Sequence, residues 1–256
     1  MTAGWDPKQY LTFDNHRLRP ALELLLRIPH DAPAQVVDLG CGPGNVTPYL
    51  RERWPGAVIT GVDNSGEMLT TARKSGVDAT WCEADLVTWT PEAPVDVMYT
   101  NAALQWAEDH EALFPRLMSM LAPGGVLAVQ MPRNFGQPSH TTMKVAAAQG
   151  PWAAKLARVE RRAPVAEPDF YYGLLAPLSE KLDIWETRYV QVLTGENPVA
   201  EYTKGSWLKP MLDALEEPER SGFEAAYRKL VLAAYPPRED GATLFPFTRL
   251  FMVAVN

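Results

Sequence analysis

The chain is 256 residues long, 46% hydrophobic and 21% charged, with a formal net charge of -7. This is the composition of a soluble globular protein that can bury a large core, as one domain with or without an attached cap. The acidic balance and the lack of a basic run exclude a nucleic-acid partner as an expectation, and no apolar stretch approaches the roughly 20 residues of a membrane span.

In chain order, residues 17–28 (RLRPALELLLRI) predict an amphipathic helix with Pro20 near its start. QVVDL (35–39) is a short apolar strand, followed by glycines and then by a helix over NVTPYLRERW. AVITGVD (57–63) is a second strand, and SGEMLTTARKS a helix with Ser65 as N-cap. ATWCEAD (79–85) and VDVMYTN (95–101) are the third and fourth strands. DHEALFPRLMSML is a helix, and GGVLAVQMP (124–132) is a fifth strand introduced by a Pro123-Gly124-Gly125 turn. Strand and helix alternate five times within about 100 residues, which predicts a Rossmann-like α/β fold with a doubly wound, mostly parallel sheet.

Beyond residue 132 the pattern changes. Residues 138–162 read as helical, with basic residues Arg158, Arg161 and Arg162 at the end, and APVAEPD as a linker. KLDIWETRYVQVL (181–193) alternates like a strand. Residues 197–235 read as helices broken at Gly205, Pro210 and Pro218, and TRLFMVAV (248–255) as a last strand. The two late strands would extend the sheet as an antiparallel edge, for seven strands in all. The expected organisation is a single domain over 1–256. Its core spans about 30–135 plus 181–193 and 246–256, and helical cap segments cover about 138–178 and 197–235.

Ligands of such sheets bind beyond the carboxyl ends of the strands. The residues found there are Asp38 and Gly40, Asp63, Asp85 and Asn101. The loop DLGCGPGN carries Gly40, Gly42 and Gly44 between a strand and a helix. A dinucleotide site would have G-x-G-x-x-G, with its third glycine at position 45, which is Asn45. Asp38 just before the loop is badly placed for a phosphate and well placed for an ammonium group. The ligand that fits has a cationic amino-acid part, a ribose and an adenine. Cys41, inside the loop, is expected to pack rather than react. The four histidines, His16, His30, His110 and His140, have no metal spacing, and neither they nor Cys41 and Cys82 suggest a metal site. His140 is expected at a helix start or on the surface, with a general-base role only for a hydroxyl acceptor.

The D-x-G-x-G-x-G loop resembles the first motif of class I S-adenosylmethionine-dependent methyltransferases. That resemblance implies S-adenosylmethionine as cofactor and S-adenosylhomocysteine as product. It implies cofactor contacts from Asp38, Gly40, Gly42 and Gly44, and from Asp63 (ribose hydroxyls) with Asn64 and Met68. Asp85 with Leu86 would meet the adenine, and Asn101 and Ala102 the methionine part. Tyr10, Phe13 and Trp106 would be lids. For Asp63 and Asp85 the competing reading is a loop-capping aspartate.

WDPKQYLTF, RLRPALELL, DLGCGPGN, TNAALQW, GGVLAVQMP, AYPP and RLFMVAV together resemble the bacterial trans-aconitate 2-methyltransferase family through nearly the whole chain. The resemblance implies a carboxyl O-methyltransferase making a methyl monoester of a tricarboxylate. A carboxylate is already ionised at neutral pH, so no residue need act as a base, and approximation carries the reaction. A small-molecule polycarboxylate requires clustered cations. The candidates are Arg17, Arg19, Arg133, Lys204, Lys209 and Arg249, with Tyr171, Tyr172 and Trp207 as added donors or walls. The chain departs from the family pattern at Arg133, where relatives carry an acidic residue, and in GSWLKP, where Lys209 replaces an arginine. These departures leave open another carboxylate or a hydroxyl as acceptor. The expected setting is cytoplasmic, without nucleic acid or membrane. Oligomeric state is not fixed by the sequence, with a monomer favoured.

Overall fold

The computed structural model describes residues 18–159, 165–205 and 207–256. Tyr10, Phe13, His16, Arg17, Arg161 and Arg162 lie outside the described residues. The described chain forms α1 (Leu18–Leu26), β1 (Gln35–Leu39), α2 (Thr47–Arg53), β2 (Val58–Asp63), α3 (Gly66–Lys74), β3 (Thr80–Glu83), β4 (Val95–Asn101), α4 (His110–Ser119) and β5 (Leu121–Pro132). Then follow α5 (Pro138–Ala148), α6 (Ala153–Leu156), α7 (Pro168–Leu175), β6 (Lys181–Thr194), α8 (Pro198–Lys204), α9 (Lys209–Asp213), α10 (Glu219–Ala234) and β7 (Ala242–Val255).

The seven strands form one sheet in the order β3-β2-β1-β4-β5-β7-β6. β1 pairs in parallel with β2 and β4, β2 with β3, and β4 with β5, while β7 runs antiparallel to β5. The strand order reverses at β1 and β4, the switch point where an open α/β sheet leaves a crevice. Strands buried on both faces read as near-continuous apolar runs. Accordingly Val36, Val37, Val97, Met98, Tyr99 and the stretch Val126–Val129 are buried. Two caps fix the helix starts: Ser65 accepts from the Met68 amide at the head of α3, and Asp109 from the Ala112 amide at the head of α4.

Several boundaries differ from the sequence expectation: the helix expected over 138–162 divides into Pro138–Ala148 and Ala153–Leu156, and the strand expected over 79–85 covers only Thr80–Glu83. β5 starts at Leu121, ahead of the Pro123-Gly124-Gly125 turn, because Leu121 pairs with Val95 before a register shift at Val95/Val97. Gly124 takes φ +74° there and donates to the Asn256 carbonyl. β7 starts at Ala242, earlier than its apolar run suggests. Pro210 lies in the first turn of α9 instead of breaking a helix, since proline's missing N–H costs nothing at that position.

The chain divides into two compact units. The first comprises the described residues to Pro132, those from Val165 to Thr187, and Arg249–Asn256. The second comprises those from Arg133 to Val159, together with Arg188–Thr248. Residues 165–178, placed with the cap in the sequence reading, thus group with the sheet. The second unit has its own core around Met143, Trp152, Leu208, Phe223, Tyr227 and Phe245. Trp152 sits edge-on to Phe223 and donates Nε1–H to the Ala146 carbonyl at 2.9 Å.

Candidate active site

All three loop glycines have left-handed backbone: Gly40 at φ +76°, Gly42 at +54° and Gly44 at +78°. L-residues with a side chain resist that region. At Gly40 a Cβ would also lie 2.2 Å from the Ala103 Cβ and near Leu86. At Gly42 a Cβ would meet no atom of the described residues within 4 Å. The Gly40 and Cys41 amides both donate to the Val62 carbonyl, which lays the loop across the end of β2.

Asp63 completes that attachment. Its Oδ2 accepts from the Gly42 amide at 2.8 Å and its Oδ1 from the Ser65 amide at 2.9 Å. Each carboxylate oxygen has a second lone pair, so Asp63 keeps acceptor capacity toward the open side while anchoring the loop. Asp38 is 2% exposed and its Oδ2 accepts from the Thr47 hydroxyl at 2.8 Å. Burial, opposed by the Thr47 bond and aided by the Asp63 charge, pushes its pKa up to about 7. Thr47 had no role in the sequence reading. The only signal for it was a hydroxyl residue at the start of the helix after the glycines.

Cys41 is buried, and its thiol is pushed well above its ordinary range by desolvation and by Asp38 and Asp63. This environment disfavours the thiolate, the form a nucleophile needs. Its Sγ would stand 3.1 Å from a Cβ at Gly61, where it packs beside Trp81.

The other strand-end residues divide. Asp85 is exposed, and its Oδ1 accepts from the Val87 amide at 2.8 Å, which is the loop-capping geometry. Asn64 and Met68 are exposed, and the Met68 amide is taken by the Ser65 cap. Ala102, at the end of β4, has φ +53° and is the one non-glycine residue with positive φ among the described residues. Such strain concentrates at functional turns. Its amide donates to the Gln130 carbonyl, and its carbonyl accepts from Gln105 Nε2. Asn101 Oδ1 is buried with no hydrogen-bond partner among the described residues. Trp106, in the 3-10 turn Leu104–Trp106, is exposed.

Behind this turn, His110 bridges the Leu104 carbonyl (Nε2, 2.8 Å) and the Tyr171 hydroxyl (Nδ1, 2.7 Å). A carbonyl only accepts, so Nε2 carries the proton and Nδ1 accepts from Tyr171. The Tyr171 hydroxyl in turn accepts from the Ala166 amide at 3.1 Å. Burial lowers the His110 pKa, which keeps this neutral tautomer at pH 7. Tyr171 is therefore corrected from substrate candidate to core: it is 0% exposed and its hydroxyl is already committed on both sides.

Of the described candidate cations, Arg249 alone is buried, 5% exposed, with Nη1 donating to Gln130 Oε1 at 3.2 Å. Arg19 pairs with Glu23 on the surface of α1. In the second unit Lys204 pairs with Glu224 at 2.6 Å and Lys209 with Asp213. Exposed pairs of this kind are ordinary surface features. Arg133 is half-buried, and its amide donates to the Thr248 carbonyl. Tyr172 is 59% exposed. Trp207 meets Phe135 edge-on with centroids 4.8 Å apart, and His140 at 5.8 Å. His140 does begin a helix, but it is buried, not on the surface, and burial holds its pKa down at about 4. Among the described residues, no group of three or more histidine, cysteine, aspartate or glutamate side chains could hold a metal ion. No described helix is long and apolar enough to cross a membrane.

Residues 36–125 match a family described as a methyltransferase domain. A trans-aconitate 2-methyltransferase from Azoarcus sp. is 51% identical over 252 residues, covering 98% of this chain and 99% of that protein. Another, from Methylobacterium radiotolerans, is 45% identical over 255 residues, 98% of each. The solved structure of an S-adenosylmethionine-dependent methyltransferase from Mesorhizobium loti has the same fold, with a TM-score of 0.52 at 20% identity over 95% of this chain and 99% of that one.

The His110–Tyr171 geometry predicts how a Tyr171→Phe variant behaves. It leaves the Ala166 amide and the His110 Nδ1 without their partner, and unfolding in urea should show a loss of about 1–3 kcal/mol. The KM for any acceptor should stay within about twofold, as expected of a group remote from substrate. A raised acceptor KM with unchanged stability would return Tyr171 to the site.

Proposed function

The chain belongs to the trans-aconitate 2-methyltransferase family, and we propose that it transfers the methyl group of S-adenosylmethionine to a carboxylate of trans-aconitate, forming a methyl monoester. The observation that carries this reading is the loop of three left-handed glycines, fastened by Asp63 at the switch point of the sheet. The donor binds against this loop, with its ribose hydroxyls on the spare lone pairs of Asp63, Leu86 beside its base, and Asp85, Asn64 and Met68 bordering the base and ribose. Its amino-acid part lies toward Asn101 and Ala102. The strained turn at Ala102 and the Asn101 Oδ1, which has no partner among the described residues, fit a ligand there.

When bound, S-adenosylmethionine supplies a methyl group already activated by a positive sulfur. The acceptor carboxylate is ionised at neutral pH. The chain is therefore asked to hold the two in line and keep water out, with no obligatory base. Arg249, buried beside the end of β5, is the cation best suited to fix a carboxylate. Arg17, Arg19, Tyr172, Trp207 and Lys209 are weaker candidates for the acceptor side. The acidic net charge of -7 supports a monomer acting on a small molecule, without nucleic acid. Two free thiols support a reducing, cytoplasmic setting. The whole chain then serves as one methyltransferase domain.

Methyl transfer is tested with labelled donor and a panel of carboxylates. A base-labile methyl product from trans-aconitate, at an ordinary kcat/KM of about 10⁴ M⁻¹s⁻¹ or more, is expected. Turnover of another acceptor but not of trans-aconitate would overturn the substrate, and transfer to no metabolite would overturn the activity.

Asp38 gives a pH dependence. Its folded pKa of about 7 lies above its unfolded value, so its protonation favours the fold below that unfolded value and the contribution is lost as pH rises through 7. A ligand ammonium near Asp38 favours the ionised form and pulls the other way. The ionised fraction rises from about a tenth at pH 6 to about nine-tenths at pH 8, so S-adenosylhomocysteine should bind up to about tenfold tighter at pH 8. Titration calorimetry at the two pH values should show this gain, and Asp38→Asn should abolish it. An equal affinity at both in the native protein would remove Asp38 from donor binding.

A further inference from the structure

Three polar side chains line the carboxyl end of the sheet on one face. Asn101 on β4 is in register with Gln130 on β5. Gln130 stands opposite Phe251 on β7, and Arg249 lies two residues before Phe251, so it projects from the same face. Tyr99 marks this face, since it too lies two residues from Asn101 and donates its hydroxyl to the Ala21 carbonyl of α1.

Gln130 is 0% exposed. Its Oε1 accepts from Arg249 Nη1 at 3.2 Å, which sets the orientation of its amide. The oxygen faces the guanidinium, and Nε2 is the other arm of the same amide group. That Nε2 has no hydrogen-bond partner among the described residues. Buried amides are normally satisfied, so a donor at the carboxyl end of the sheet with no acceptor among the described residues fits an acceptor atom supplied by a ligand. The group beside it, the Arg249 guanidinium, also only donates. Two donor groups, one of them cationic, side by side in a buried place, match an anion with at least two acceptor oxygens, and a carboxylate is acceptor-only in that way.

We propose that Gln130 is a binding residue for the methyl acceptor, its Nε2 donating to a carboxylate that is not the one esterified while its Oε1 holds the Arg249 guanidinium toward the same group. The proposal rests on the reading of the protein as a carboxyl methyltransferase and adds to it how a second carboxylate is selected. Acceptors with one carboxylate leave Gln130 Nε2 unmatched and are poor substrates. Acceptors with two or three satisfy it.

The test is Gln130→Glu, with Gln130→Met as a second variant. Glutamate keeps the shape and the bond to Arg249 but offers no donor and adds a charge that repels the substrate. Methionine removes both polar atoms at similar length. The expected result is a rise of about tenfold or more in the KM for trans-aconitate in both variants, with S-adenosylhomocysteine affinity and kcat within about twofold. A Gln130→Glu protein with native acceptor KM would overturn the proposal and leave the activity standing, because a merely structural glutamine tolerates that change. If the native protein methylates no carboxylate, the activity reading fails. The inference is then judged by thermal shift of the S-adenosylhomocysteine-loaded protein with tricarboxylates. A rise in melting temperature lost in both variants upholds the carboxylate site, and no rise in the native protein overturns it.

Discussion

The carboxylate of Asp63 is the tie on which the site depends. It holds the amide of Gly42, in the loop after β1, and the amide of Ser65, at the head of α3. Two chain turns are thereby fixed to the end of one strand. A glycine loop alone is a flexible element, because glycine gives up more backbone freedom than any other residue on folding. Charge-assisted hydrogen bonds from backbone amides to a carboxylate are the strong kind. They let a loop with three left-handed residues persist as a preformed surface. The same carboxylate retains lone pairs on its outer side, so anchoring the loop and accepting from a ligand are not in competition.

The donor side and the acceptor side are built differently. The donor side is mostly backbone, shaped by glycines, a strained alanine and capped turns. The acceptor side is proposed to be a pair of side chains on two neighbouring strands, placed by register. Gln130 and Arg249 belong to β5 and β7, whose pairing puts them diagonally across one face. A site on strand ends is positioned more rigidly than one on loops. That suits a reaction in which holding two reactants in line is the main demand.

Much of this was legible in the sequence for physical reasons. β1, β2 and β4 are short apolar runs bounded by turn residues, and their boundaries match within a residue. Ser65 caps its helix, as its position at the start of SGEM suggests. Other features depend on partners far away along the chain. Tyr171 is core because His110, 61 residues earlier, faces it, and no local pattern reveals that. β5 reaches back to Leu121 because Val95 offers it a partner. Lys204 and Lys209 carried the right charge for a tricarboxylate but found carboxylates on their own surface. Gln130 did leave a signal: a glutamine within GGVLAVQMP is out of character for a buried strand. Buried polar residues in such runs are worth asking about before exposed ones.

The most direct test of the account is a calorimetric titration of S-adenosylhomocysteine into the native protein and into Asp63→Ala. Losing the tie and the ribose acceptor together should weaken binding by about a hundredfold, close to 3 kcal/mol. An affinity within about twofold of native would mean that neither the loop nor the ligand relies on Asp63, and the placement of the donor at this strand end would be wrong.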